Sequence, residues 1–472
     1  MGTMGQTKFR RQGRLQLEAL EGRVLLTAVV TGVEPDGDNY EVRLTGPGTI
    51  TNVDLDELTL AGTTTSSRLA ITVVQVAGDG AVAVGQVNTG GAALGSLAVQ
   101  GDLGGLTVGR LGQLEARSLG TGEEATGEFT IGGATGRVTV SGDVRDVNLT
   151  IAGNLEGLQV GGKASRNAQV SGSTLAIAGA VGRIQVQVMT AGSAVQVGGD
   201  LGLLNVDRWL VDTAIAVEGT LGKLNVAGGM RGGCTLEVEG DVADLAVKKD
   251  ITDATITIGG MLQRGKIGTD LRDSTLQCAG INDLQVGDDL DNVRMSVTDD
   301  LVRLRAEDCL GLTLRVSGAL HDLEVRRDLE GAVISALNGI GTVQVGQDVN
   351  RSLLLAGIDI GADLTMDTGP GGDDAEWGNV TIERVRVGGD LIDTSLAAGV
   401  NARGAWFGDG DDEPTAGDTG TARILRLEVR GVIASSGLPG ESYAISAADG
   451  VDMARSGGTA FTGVPGVVLQ EF

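Results

Sequence analysis

The chain has 472 residues, of which 79 are glycine, 6 are proline and 2% are aromatic, with 41% hydrophobic residues and a formal net charge of −26. Scarce proline and no strict Gly-X-Y period exclude collagen, and the aliphatic content excludes wholesale disorder. The negative field repels nucleic acid and anionic membrane, so neither is expected as a partner. No run approaches the ~20 apolar residues of a transmembrane helix. A core of Val, Leu and Ile with so few aromatics has to be built in thin layers, which favours stacked strands.

Residues 1–27 differ from the rest of the chain. The stretch "KFRRQGRLQLEALEGRVLLTA" is basic and then apolar, and "VLLTAVV" is short for a secretory h-region. Leu17, Glu18, Leu20, Glu21, Arg23, Leu25 and Leu26, followed by small Thr27 and Ala28, resemble the LEPR-XLL element at the N-termini of large bacterial surface or exported proteins. Gly22 stands where the family name implies proline. The resemblance implies export and says nothing of activity. The alternative is an amphipathic helix that caps the fold. Residues 28–96, with "YEVRLTG", "RLAITVVQVAG" and "GAVAVGQV", predict irregular strands forming an N-terminal cap.

From residue 97 the chain repeats. One apolar column runs Leu97, Phe129, Leu149, Leu175, Val195, Ile215, Leu236, Ile256, Leu276, Met295, Leu314, Ile334 and Leu354, with steps of 19 to 21 residues from Leu175 onward. A second column lies two residues later, through Val99, Ile131 and Val238 to Val316. Further apolar pairs such as Leu106-x-Val108, Leu204-x-Val206 and Leu245-x-Val247 complete a consensus close to L-x-V-x-G-D-L-x-x-L-x-V-x-x-D-L. Spacing of two is strand periodicity, and a fixed period near twenty is a structural repeat. Recurrent Gly and β-branched residues disfavour helix.

These features predict an all-β parallel β-solenoid with about 20 residues per rung, each rung stacking its columns on the next. Right-handed winding is favoured, because left-handed helices usually advance in hexapeptides. The solenoid is expected over 97–433, with acidic loop insertions at 365–379 and 399–422 and a C-terminal cap or tail at 434–472. Segments 112–128, 161–174 and 365–379 interrupt the repeat after its Asp-Leu turn and are expected at one corner.

Asp250, Asp270, Asp289, Asp308, Asp328 and Asp348 form a ladder with steps of 19 or 20 residues. Carboxylates stacked at a strand spacing of ~4.8 Å repel by about 0.9 kcal/mol per pair even in water. Capping of turn N–H groups offsets this; calcium bridging between rungs is the alternative. The acidic insertions offer further Ca²⁺ ligands in Asp373, Asp374, Asp409, Asp411, Asp412, Glu413 and Asp418, without EF-hand spacing. Trp377, Trp406 and Phe407 flank these acids, which makes them the candidate ligand patch. The three cysteines fall in different columns, so buried thiols are expected and a disulfide is not.

His321 is the sole histidine, and alternation points it to solvent. No nucleophile elbow, phosphate loop or dinucleotide fingerprint occurs. The sequence therefore favours a non-enzymatic, exported structural or adhesive protein of the cell surface or extracellular matrix, with glycans or matrix components as partners and Ca²⁺ as its one candidate cofactor. A polysaccharide lyase or hydrolase on a right-handed β-helix is the alternative. It needs carboxylates and Arg or Lys in a cleft beside Trp377 or Trp406.

Overall fold

The structure, a computed structural model, describes residues 27–121, 126–162, 165, 167–361, 364, 375–376, 378–401, 407, 412–414, 421–436, 443–461 and 467–471. The export-like element at 1–26, and with it Leu17 to Leu26, lies outside the described residues. Among the described residues there is no helix, and so none long and apolar enough to cross a membrane. The chain divides into two compact units, residues 1–168 and 169–472.

The first unit opens with antiparallel strands. Thr27–Val33 pairs with Asn39–Thr45, which pairs in turn with Arg68–Val74. Parallel pairing appears where Glu57–Ala61 meets Gln86–Asn88 and where Arg68–Val74 meets Ala93–Leu103, and continues from the latter to Arg110–Leu119 and Thr135–Val140. Here the predicted register needs correcting. Leu97 pairs with Leu69 and Leu114, whereas Phe129 pairs with Leu106 and Leu149. Leu97-x-Val99 and Leu106-x-Val108 thus exchange columns, because two L-x-V pairs in neighbouring strands have the same composition. Arg110–Leu119 is itself a coil strand, with Leu111 and Leu114 buried, so the interruption expected at 112–128 begins only after Leu119.

The second unit is a parallel β-solenoid with roughly 20 residues per turn. Each coil carries three strands, as in Thr235–Val238, Val242–Val247 and Ile251–Thr252. Leu236 pairs with Ile256 and Ile256 with Leu276, while Ile251, Leu271 and Leu290 stack in the third strands. All six are buried. Interior burial contributes roughly 1.5–3 kcal/mol per aliphatic side chain, and parallel stacking completes each coil's backbone hydrogen bonds.

Two corner columns explain much of the composition. After the third strand, Asp212, Asp253, Asp273, Asn292, Gly311, Gly331, Arg351 and Asp393 take left-handed backbone with φ between 46° and 64°. Asp, Asn and Gly tolerate that region best. The next residue points inward, and its hydroxyl, where it has one, donates to the carbonyl two residues back: Thr213 to Val211 (3.0 Å), Ser274 to Arg272 (2.6 Å), Ser352 to Asn350 (2.9 Å). After the second strand, coils approach so closely that a Cβ on Gly287 would lie 2.1 Å from the carbonyl oxygen of Gly268.

The stack also runs beyond 433. Leu396 pairs with Ile445, and Ile445 with Leu469, so the segment expected as a cap or tail supplies further first strands.

Candidate functional site

The aspartate ladder is real, and its carboxylates join successive coils. Asp270 Oδ1 accepts the N–H of Asp289 (3.3 Å), Asp308 that of Asp328 (2.9 Å), Asp328 that of Asp348 (2.9 Å) and Asp348 that of Asp390 (2.7 Å). The carbonyls of the same column bond backward, Ile251 N–H to Asp270 and Leu271 N–H to Asp289. Capping therefore reaches the following coil instead of closing the turn of its own. Cations share the load: Arg272 lies 3.1 Å from Asp270 and 3.9 Å from Asp289, and Arg327 lies 3.3 Å from Asp308. Burial, and then the charges of Asp308 and Asp270, push the carboxyl of Asp289 above its ordinary range.

A second ladder was not expected, although its signal is the Gly-Asp of the consensus. Between first and second strands, Asp200 Oδ1 accepts the Thr220 N–H (2.8 Å), Asp241 the Met261 N–H (2.8 Å) and Asp300 the Ala319 N–H (2.8 Å). The Thr220 bond holds the carboxyl of Asp200 below the usual carboxylate range.

Both acidic insertions leave between a first strand and a second strand, on consecutive coils. One lies between Leu353–Ala356 and Thr381–Val387, the other between Ser395–Ala398 and Arg423–Ile424. The 365–379 insertion is therefore not at the corner that follows the Asp-Leu turn. Each insertion is rooted in a short antiparallel ladder, Ile358–Asp359 with Ala375–Glu376 and Val400–Asn401 with Glu413–Pro414. Asp373, Asp374, Trp377, Trp406, Asp409, Asp411 and Asp418 lie outside the described residues. Asp412 is buried, Glu413 is exposed, and Phe407 is 1% exposed, which puts its ring in the interior and not on a binding surface.

The first insertion is clamped to the coils. Arg315 grips Asp359 at two points, Nε to Oδ1 and Nη2 to Oδ2 (2.8 Å). Ser317 Oγ donates to Asp359 Oδ2 (3.1 Å), and Ser335 Oγ donates to the Ile358 carbonyl. Asp359 is buried and Arg315 largely so. A bidentate guanidinium–carboxylate pair of this kind fixes orientation as well as charge.

The outward side of the second strands carries two columns of paired charges, two residues apart. Lys223 reaches Asp244 (2.6 Å), Arg303 reaches Asp322 (3.4 Å), Arg305 reaches Glu324 (2.9 Å) and Arg386 reaches Glu428 (2.9 Å). The column through Arg305 and Glu324 ends in a groove of about 410 Å³ lined by Gln344, Arg386, Glu428, Arg430 and Arg455. Arg426 and Arg386 both bond Glu428 and hold its carboxyl low. The groove is cationic on a strongly anionic protein, with polar donors and no aromatic platform. Elsewhere, Trp209 lies under Arg231 (3.7 Å to the ring centroid) and near Lys249 (5.0 Å), an aromatic–cation contact that one-dimensional spacing did not reveal.

His321 is exposed and lies 3.6 Å from Asp300. Cys234, Cys278 and Cys309 are buried free thiols in separate columns, and burial pushes Cys278 up to about 12. No family model, curated protein or solved structure matches the chain. The ground for function is therefore the geometry itself.

Proposed function

We propose that this chain is an exported, non-enzymatic structural protein of the cell surface or extracellular matrix, whose solenoid presents contacts to matrix glycans. The observation that carries the reading is the pair of charge columns on the second strands. Their pairs satisfy one another from coil to coil, as a passive stacked surface would, and Arg430 and Arg455 add positive charge in the groove beside the Arg386–Glu428 pair. Guanidinium groups in such a groove suit carboxylated or sulfated sugars. Export rests on the LEPR-XLL resemblance of residues 17–28, and calcium at the 399–422 insertion would neutralise Asp409, Asp411 and Asp418.

The test combines cell fractionation with binding of the purified chain to immobilised acidic polysaccharide. The expected result is a surface or extracellular fraction and retention that weakens at least tenfold in an Arg430→Ala/Arg455→Ala variant. Retention in the cytosol would overturn the reading. So would release of unsaturated uronide from a polyuronate, which would establish the lyase alternative.

A further inference from the structure

The first unit contains a constellation that no repeat column explains. The turn after Thr27–Val33 carries Glu34, Asp36 and Asp38, and the loop between Arg68–Val74 and Val82–Val84 carries Asp79. One carboxylate oxygen from each of Asp36, Asp38 and Asp79 lies within 4.8 Å of the others. Asp38 organises the pair of turns: its Oδ1 accepts the N–H groups of Val76 (2.7 Å), Ala77 (3.0 Å) and Gly78 (2.8 Å), and its Oδ2 that of Gly80 (2.8 Å). Those bonds keep Asp38 ionised, with its carboxyl held at about 2. Asp36 and Asp79 are exposed at the rim.

The independent observation is Glu34. It is 8% exposed, and its Oε1 accepts the Ala83 N–H at 3.1 Å. Its Oε2 is buried and meets no hydrogen-bond partner. This carboxylate sits within electrostatic reach of Asp36, Asp38 and Asp79 together. Among the described residues, the cation that pairs with this group of four acids is Arg117, half-exposed and 3.3 Å from Asp79. An unpartnered buried carboxylate oxygen is costly, and hydrogen bonds within the turn supply no counter-charge for it.

We propose that Asp36, Asp38 and Asp79, backed by Glu34, form a Ca²⁺ site that ties the first turn of the N-terminal strands to loop 75–81. The ligands are hard oxygens. Ca²⁺ accepts flexible all-oxygen coordination from separate turns, whereas Mg²⁺ demands near-ideal octahedral geometry and keeps much of its water. The cation places positive charge within electrostatic reach of Glu34, and the N–H bonds accepted by Asp38 hold the two turns ready for it. The inference is independent of the surface role proposed above and of the acidic insertions.

Calorimetric titration of the full chain with CaCl₂ tests it, using Asp36→Asn/Asp79→Asn and, separately, Asp409→Asn/Asp411→Asn/Asp418→Asn. A binding event lost in the first variant and kept in the second is expected, with MgCl₂ at least tenfold weaker. Circular dichroism checks the fold of the first variant, which leaves untouched the Asp38 carboxylate and the N–H bonds it accepts. Should the double variant misfold, Asp79→Asn alone, on an exposed side chain, is expected to weaken Ca²⁺ at least tenfold. Arg117→Ala removes the competing cation and is expected to tighten binding by up to about fivefold, the worth of an exposed ion pair. No calcium heat at millimolar concentration, or heat unchanged in Asp36→Asn/Asp79→Asn, would overturn the site.

Discussion

The outward side chains of the first strands form one unbroken column, yet the two halves of that column live in different environments. Glu237, Thr257, Gln277, Ser296 and Arg315 stack in register and are exposed or half-buried. Ser335, Leu355, Ala397 and Ser446 continue the same register, and each is 0% exposed. The difference lies in where the chain goes after the strand. After Leu353–Ala356 and Ser395–Ala398 it leaves for the acidic insertions, and the root of the first folds back on the preceding coils, with Ile358 and Asp359 bonded to Ser335 and Arg315. The inner face therefore sets the register, while the outer face is free to be solvated or covered. Arg315 stands at the boundary, the last partly accessible residue of the column, and turns its guanidinium to the cover.

The largest effect expected from this contrast comes from one substitution made on each side of the boundary. Leu355→Ser removes a buried side chain and buries a hydroxyl, at a cost of about 3–5 kcal/mol. Gln277→Ser, in the same column, should stay within about 0.5 kcal/mol. Urea midpoints check the pair. Coils interact mainly with their neighbours, so hydrogen exchange should place the loss of protection around 333–398. Equal costs at the two positions would erase the distinction.

Much of the solenoid was legible because stacking forces like residues to recur. Leu236, Ile256 and Leu276 announce the coil, and Asp308, Asp328 and Asp348 announce a corner. What recurrence could not supply was strand identity: Leu97-x-Val99 and Leu106-x-Val108 are equivalent as strings, and only pairing assigns them to different strands. The covered face had a signal of a different kind from alternation. "LLLAGIDI" at 353–360 is almost continuously apolar, as strands buried on both faces are, whereas "TLRVSG" at 313–318 alternates. The Asp36–Asp38–Asp79 group was invisible for another reason. Its members are separated by a strand-rich stretch with no period, and no spacing rule joins them.

The next effect sharpens the boundary itself. Asp359→Ala leaves Arg315 without its carboxylate in a largely buried position, which should cost about 3 kcal/mol. Replacing both residues, Arg315→Met with Asp359→Leu, removes the stranded charge and should recover at least half of that loss. A double variant as unstable as the sum of its single changes would mean that the two residues act separately, and that the insertion is held by other contacts.

The smallest effect concerns the aspartate ladder, which crosses both halves. The raised carboxyl of Asp289 binds its proton more tightly in the folded chain than in the unfolded one. Its charge therefore costs stability at neutral pH, and the cost fades as pH falls through the raised folded value. Asp289→Asn should accordingly stabilise by a few tenths of a kcal/mol at pH 7, within the usual range of surface changes. The gain should close as pH approaches 3.8, the ordinary value for aspartate. Asp328, two rungs further along the ladder, behaves oppositely, because its Oδ1 accepts the Asp348 N–H at 2.9 Å. Asp328→Ala should cost about 1 kcal/mol, the net worth of one hydrogen bond. Urea titrations at pH 7 and pH 4 measure both. Two changes of the same sign would show that position in the ladder does not decide whether a carboxylate helps or strains the stack.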